Sequence, residues 1–392
     1  MGYEFKFIHC ADLHLGSRFK GLGDYDSRLA EMLRLSVFES FERIVDAALD
    51  RHADALVISG DVFDDSNELP STRMWFVRQL SRLTIPVFIC RGNHDSMTSW
   101  DSAIPYPDNV HEFGTDVESI DLGDVQVIGA SYAEAHETRN LVAMMKGDAD
   151  KFTIACVHCD IDSCSEGYPY APCSQRDFVG SNVDYWALGH IHKRSVVSRS
   201  PYVVYPGNIQ GHSFKETGDK GAYFVDVVDG QVRSLEFFPT QSVTWQDPIV
   251  DITGSNLSDV VSELSAILGK GAIARIRFVG TGELDTMLRS NVEDVRRTIS
   301  ASTGAIVSEI QVQTSPEIDM DSLRQGKDMK AALIRAGDSY SRMSKEDLIE
   351  RICRNKQLSR NRDFFESLSE DDLRSLVSDA VKNTLVIMEA SR

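Results

Sequence analysis

Over the first 240 positions, two patterns of apolar residues alternate. Short continuous apolar runs at residues 5–9, 55–59, 87–90, 153–157, 185–188 and 203–205 predict strands. Between the first two, Leu29, Leu33, Val37, Phe41, Ile44, Val45 and Ala48 fall on one helical stripe, and Met74, Val77, Leu80 and Leu83 form another after Pro70. Strands alternating with helices predict an α/β layered domain over residues 1–240. Past Pro239 and Pro248 the pattern restarts. Residues 249–252, 274–279 and 305–312 read as strands, and 257–268 and 292–299 as helices, which makes a small α/β unit over 245–315. Ser315-Pro316 then precedes a polar, helix-prone tail over 320–392. Its helices begin at Ser344-Lys345-Glu346-Asp347 and Ser369-Glu370-Asp371-Asp372, which read as N-caps. The apolar face behind those caps is short and must bury against its own domain or a partner.

Polar residues gather where the strands stop. Asp12-Leu13-His14, Gly60-Asp61, Gly92-Asn93-His94-Asp95, His158 and Gly189-His190-Ile191-His192 each begin within a residue or two of a predicted strand's C-terminal end. Loops at that edge of an α/β sheet converge, so residues distant in sequence can share one crevice. Asp12, His14, Asp61, Asn93, His158, His190 and His192 supply seven oxygen or nitrogen donors, enough for two adjacent metal ions. Asp61 follows a glycine at a sharp turn and is the natural bridge between them. Mixed nitrogen and oxygen donors suit manganese, iron or zinc better than calcium or magnesium. Such a pair polarises a phosphoryl oxygen and generates hydroxide near neutral pH. The departing alkoxide then needs a proton, and His94 is left over to provide it. Asp95, its neighbour in sequence, is the candidate that orients it and raises its pKa. The remaining histidines, at 9, 52, 111, 136 and 212, match no motif.

Composition narrows the setting. The chain has 392 residues, 42% hydrophobic and 26% charged, with no apolar run near the roughly 18–20 residues of a membrane span and no secretory signal pattern. A cytoplasmic protein is expected. Seven cysteines argue against a disulfide framework. Cys156, Cys159, Cys164 and Cys173 cluster but lack the second Cys-x-x-Cys pair of a zinc site, so buried thiols are expected. The net charge of −19 repels a polyanion, so a nucleic-acid enzyme of this balance needs a local basic groove or a basic partner. Arg18 and Lys20, flanking Phe19, are candidates to grip phosphate, and Arg351, Arg354, Lys356, Arg360 and Arg362 concentrate positive charge further on.

The motifs resemble those of the calcineurin-like metallophosphoesterase superfamily. Within it the chain is similar to the SbcD-type DNA repair nucleases, in particular their bacterial YhaO-like branch. The residues that carry this are Ile8-His9-Cys10-Ala11-Asp12-Leu13-His14-Leu15-Gly16, Gly60-Asp61-Val62-Phe63-Asp64, Gly92-Asn93-His94-Asp95, Gly189-His190-Ile191-His192-Lys193-Arg194 and Tyr205-Pro206-Gly207-Asn208-Ile209-Gln210-Gly211. The resemblance implies a four-layer metallophosphoesterase β-sandwich with flanking helices. A small α/β DNA-capping domain and a helical C-terminal segment that binds an ATPase would follow it. It further implies that Asp12, His14, Asp61 and His192 hold one manganese ion and Asp61, Asn93, His158 and His190 a second, with His94 catalytic. The expected activity is 3′-to-5′ exonuclease at DNA ends, with endonuclease action on single strands or hairpins. The expected partners are DNA, an SMC-like coiled-coil ATPase of the SbcC type, and a second copy of the chain docked through nuclease-domain helices. Relatives often carry histidine where this chain has Asp64, which leaves the exonuclease-to-endonuclease balance open.

Two other readings compete. A metallophosphoesterase acting on a small phosphodiester such as a cyclic nucleotide, or on a phosphoprotein, would use the same metal core. The phosphoprotein version lacks support, because Val62-Phe63-Asp64-Asp65-Ser66 has no Asp-Arg-Gly continuation, and about 150 residues beyond residue 240 have little use in a small-substrate hydrolase. A non-catalytic scaffold tethering DNA or the ATPase would have no need of the spare His94.

Overall fold

Strands that are apolar on both faces must be covered on both sides. The computed structural model describes residues 2–17, 27–64, 69–99, 103–162, 170–317 and 319–390 and places these strands centrally in two six-stranded sheets. The chain divides into two units, Met1–Asp247 with Gly269–Ala274, and Pro248–Leu268 with Arg275–Arg392.

In the first unit, one sheet runs Gln231–Pro239, Gly221–Val228, Glu4–Cys10, Ala55–Ser59, Val87–Cys90, Val110–Glu112. Its strands from Glu4–Cys10 onward are parallel, while the first two join antiparallel. The second sheet runs Ser195–Arg199, Tyr202–Tyr205, Tyr185–Gly189, Phe152–His158, Val125–Gly129, Glu118–Asp121, parallel through its middle. Phe7, Val57, Phe88, Val127, Ile154, Tyr185 and Val225 fill the space between the sheets. Outside the first sheet, the helix Ser27–Asp50 buries Val37, Phe41 and Ile44 against Ile8, Leu56, Ile58 and Ile89. Outside the second, Leu141, Val142 and Trp186 pack with Val157 and Leu188. Each such side chain contributes about 1.5–3 kcal/mol. The result is the expected four-layer β-sandwich of a metallophosphoesterase with flanking helices.

One detail of the sequence reading changes. The helix Pro70–Leu80 does not bury the stripe through Met74 and Val77. Met74 is 53% exposed, and Thr72, Arg73, Phe76, Gln79 and Leu80 face inward. The aromatic residues decide the roll. Phe76 meets Phe41 and Phe63, Trp75 meets Phe38, and the Arg73 guanidinium lies 4.1 Å from the Tyr106 ring centroid. The cysteines are buried thiols, as expected: Cys156 faces the core between the sheets, while Cys159 and Cys173 lie against each other in the outer layer. They are buried and free, and Cys164 lies outside the described residues.

In the second unit, Ile249–Asp251 pairs in parallel with the strand Ile273–Thr281, which also pairs with Ile306–Ser315. The helices Leu257–Ile267, Leu284–Ser290 and Val292–Thr303 accompany them. Ser344 and Ser369 accept hydrogen bonds from the backbone N–H of Asp347 and Asp372, capping the helices Lys345–Cys353 and Glu370–Ala390. Behind the caps, Leu348, Ile349, Phe365, Leu373 and Val377 bury one another within their own unit, while Leu376, Phe364 and Ile387 stay exposed. No helix among the described residues is long and apolar enough to cross a membrane.

Candidate metal centre

Strand register assembles the site. Cys10 pairs with Ile58, Ser59 with Cys90 and Gly189 with His158, so neighbouring strands in each sheet end level. The chain must then turn sharply while aiming side chains into one crevice. Asp12, His14, Asp61 and His190 all adopt positive φ, at 52°, 48°, 51° and 103°. A non-glycine residue there costs roughly 1–3 kcal/mol and persists only where its surroundings enforce it. Here the Asp12 N–H donates to the Gly60 carbonyl (3.1 Å) and the His14 N–H to that of Asp61 (3.0 Å). The His190 N–H donates to Asp12 Oδ1 (3.0 Å). Glycines make room: a Cβ on Gly92 would lie 2.3 Å from Asp61 Oδ1, and one on Gly60 2.4 Å from His158 Nδ1.

All seven residues singled out as ligands meet in this crevice. His14 Nε2 and His192 Nε2 stand 3.0 Å apart. Asp61 Oδ2 lies 3.9 Å from His14 Nε2 and 3.4 Å from His158 Nε2, between the two groups. Asn93 Oδ1 is 3.1 Å from both His158 Nε2 and His190 Nδ1. Separations near 3 Å are those of donors sharing an ion through bonds of about 2.0–2.2 Å. Asp12, His14 and His192 bring one atom each within 4.8 Å of one another, as do Asp12, Asp61 and His158. Asp12 Oδ2 is buried with no hydrogen-bond partner, an arrangement that is costly for a carboxylate unless a cation meets it. The donor set therefore fits a pair of divalent ions.

A surrounding shell aims these donors. His158 Nδ1 donates to the Ser59 carbonyl (2.9 Å), His192 Nδ1 to Glu216 (2.6 Å) and His14 Nδ1 to Asp64 (3.0 Å), which leaves each Nε2 lone pair facing inward. Burial would lift the Asp61 carboxyl, but His158, His14 and His94 hold it far below the usual range. Burial also opposes charge on His158, yet Asp61 beside it pushes its pKa up to about 9. Burial, reinforced by His158, lowers His190 to about 3, so its imidazole is neutral and ready to ligate.

A pH dependence follows from these shifts. In the metal-free chain the His158–Asp61 pair adds stability that is complete below the ordinary histidine value near 6.5. It is lost as pH rises through about 9. A metal ion must displace that proton, so affinity should rise about tenfold per pH unit per displaced proton between pH 7 and 9. Calorimetric titration in buffers of different ionisation heats would read the released proton. Affinity that stays flat over this range would contradict the assignment.

One pairing differs from the sequence reading. Asp95 does not reach the His94 ring. Its buried carboxylate accepts from the N–H groups of Gly92 (2.8 Å) and Val62 (2.7 Å), tying two loops together. The tight turn after Gly92 points consecutive side chains apart. Asp64 takes the place expected of Asp95: its Oδ1 is 2.9 Å from His94 Nδ1 and 3.0 Å from His14 Nδ1. The Asp64 contact, against partial burial, raises His94 to about 9. His94 itself is 45% exposed at the rim; its backbone N–H donates to Asp61 Oδ1, and its ring stands edge-on to that of His14 with 4.9 Å between centroids. Sequence reading also gave no role to Glu216, His212 or Tyr170. Glu216 holds His192, and the His212 ring lies 5.7 Å from that of His14. Tyr170 lies 5.1 Å from His190. Arg18 and Lys20 fall outside the described residues.

The profile of the calcineurin-like phosphoesterases matches residues 5–194. The chain is 36% identical over 296 residues to the uncharacterized metallophosphoesterase YhaO of Bacillus subtilis, covering 71% of this chain and 72% of that one. It is 25% identical to the DNA double-strand break repair protein Mre11 of Sulfurisphaera tokodaii, covering 59% and 62% of the two chains. It is also 25% identical to the SbcD component of the nuclease SbcCD of Bacillus subtilis, covering 66% and 75%. The chain thus spans less than two thirds of the archaeal relative's length.

Proposed function

Because the chain belongs to the calcineurin-like metallophosphoesterases, whose members bind a dinuclear metal site, we propose that it is a manganese-dependent phosphodiesterase acting on DNA ends. The observation that carries the reading is the pair of donor groups meeting at Asp61, with His94 beside them at the open rim. In this reading Asp12, His14, Asp61 and His192 hold one ion and Asp61, Asn93, His158 and His190 the other. Bound there, two divalent ions polarise a phosphoryl oxygen and lower the pKa of water. The protein's own part is positional. Ser59, Glu216 and Asp64 lock the ligand tautomers, and Asp95 ties the loops that carry Asp61 and Asn93. His94, held protonated by Asp64, donates its Nε2 proton to the departing oxygen. DNA as substrate is supported by the named activities of the Mre11 and SbcD relatives. Partnership with an SMC-like ATPase through the helical C-terminal segment, over 320–392, and a capping role for 245–315 belong to the same proposal. So do a homodimer and a cytoplasmic location. An ATPase partner would supply the positive surface that a chain of net charge −19 lacks.

Incubation of the purified chain and manganese with linear single- and double-stranded DNA, and separately with a cyclic dinucleotide, tests the substrate. Shortening of DNA from its 3′ ends is expected. Hydrolysis of the cyclic dinucleotide alone would end the nuclease reading.

A further inference from the structure

Lys220 is a buried cation beside the metal centre. It is only 7% exposed, and its Nζ donates to the His192 carbonyl at 2.9 Å. Taking an ammonium out of water is costly, and one bond to a neutral carbonyl does not offset that cost. An apolar side chain of similar length would fill the space more cheaply. The charge is therefore explained by what surrounds it: Glu216 and Asp12 favour it, while burial and Arg194 oppose it. Between two carboxylates, a cationic donor makes a stronger bond than a neutral one.

The two ends of this side chain belong to different sheets. The Lys220 backbone leads into the strand Gly221–Val228 of the first sheet and is fixed there. Its N–H donates to Gln241 Oε1 and its carbonyl accepts from the Thr240 N–H, both at 2.9 Å. Gly221 lets the neighbouring strand pass so close that a Cβ would lie 2.1 Å from the Phe238 carbonyl oxygen. From this fixed base the ammonium reaches the loop that leaves the strand Tyr185–Gly189 of the second sheet and carries His190 and His192. His192 lies in irregular backbone, so its carbonyl is bonded by a side chain rather than by a strand ladder. The Asn208 N–H also approaches it, at the longer distance of 3.4 Å. His192 is thus gripped twice, at its ring Nδ1 by Glu216 (2.6 Å) and at its backbone by Lys220.

We propose that Lys220 is a positioning residue for the ion held by Asp12, His14, Asp61 and His192, pinning the backbone of His192 from the opposite sheet as Glu216 pins its ring. The proposal rests on the metal reading of the centre and is independent of the substrate. A ligand whose ring alone is oriented still moves with its backbone. Fixing the carbonyl removes that freedom and lowers the ordering cost of binding the ion. His158, by contrast, is aimed by the Ser59 carbonyl, so the second ion depends on Lys220 much less.

Calorimetric titration of the metal-free chain with manganese tests the role. Two ions are expected for the wild type. Lys220→Met, which keeps the stem and loses the ammonium, should weaken one ion by about 10- to 100-fold and leave the other near its wild-type affinity. Lys220→Arg, which restores a cationic donor, should recover most of that loss. Equal or tighter binding of both ions by Lys220→Met would reduce the ammonium to a neighbouring charge and overturn the proposal. A Lys220→Met chain that loses its fold, or weakens both ions alike, would overturn it too, because the lysine is then an ordinary structural contact. A wild-type chain that binds fewer than two ions overturns the metal reading itself.

Discussion

With His94 replaced by alanine, turnover of a DNA phosphodiester is expected to fall by about 10²- to 10⁴-fold while both metal ions stay bound. The two outcomes separate because the polar contact from His94 to the Asp61 ligand is made by its backbone, while its ring only stands edge-on to that of His14. The N–H that donates to Asp61 Oδ1 at 2.9 Å survives the substitution. The lost imidazole is the group that Asp64 keeps protonated, with its other nitrogen open at the rim. Full-rate cleavage by the alanine variant would remove His94 from the mechanism. Asp64→Asn refines the test. An acid works only while protonated, so activity should hold up to the raised value near 9 in the wild type and fail above it. Without the Asp64 charge, that basic limb should move down toward the ordinary value near 6.5. Because Asp64 also orients His14, the variant should bind metal about 10- to 100-fold more weakly, and the pH profile must be taken at saturating metal. An unmoved basic limb would contradict Asp64 as the partner of His94.

Gly189→Ala should be the most damaging single methyl group in the domain. Its Cβ would fall 1.8 Å from the Ser59 carbonyl oxygen and 2.7 Å from His158 Nδ1. The first obstacle is backbone, so no rotamer change relieves it. Ser59 ends a strand of one sheet and Gly189 a strand of the other, so the methyl group would wedge the sheets apart. It would also displace the carbonyl that fixes the His158 tautomer. A loss of about 3 kcal/mol is expected, a fall in Tm of roughly 6–12 °C, with metal stoichiometry reduced below two. Thermal denaturation and metal analysis read both effects, and a Tm unchanged within a degree or two would refute the steric argument.

The ligands were legible because their signal is local. A polar residue just past an apolar run marks a strand end, and parallel strands share that edge. The partner of His94 was not legible for the same reason. Asp95 is adjacent in the chain, but the turn after Gly92 sends its carboxylate to backbone N–H groups, while Asp64 arrives from a loop thirty residues earlier. Helical periodicity also failed at Met74, where an apolar stripe of the right spacing lost to Trp75 and Phe76 as the buried face. Glu216 and Tyr170 carry no motif. Their relevance lies in ring distances and hydrogen bonds that only tertiary structure creates.

The strained turns at Asp12, His14, Asp61 and His190 have a consequence for how the protein is made. No short-range preference favours those conformations, and the contacts that enforce them join residues up to 178 positions apart, such as His190 to Asp12. Closures of that span are the slowest to form in folding. A nascent chain that has emerged only as far as Cys90 carries two of the five motifs and no means of aiming them. The centre completes itself when both sheets are in register and not before, so hydrolytic activity is a report the finished domain gives on its own folding.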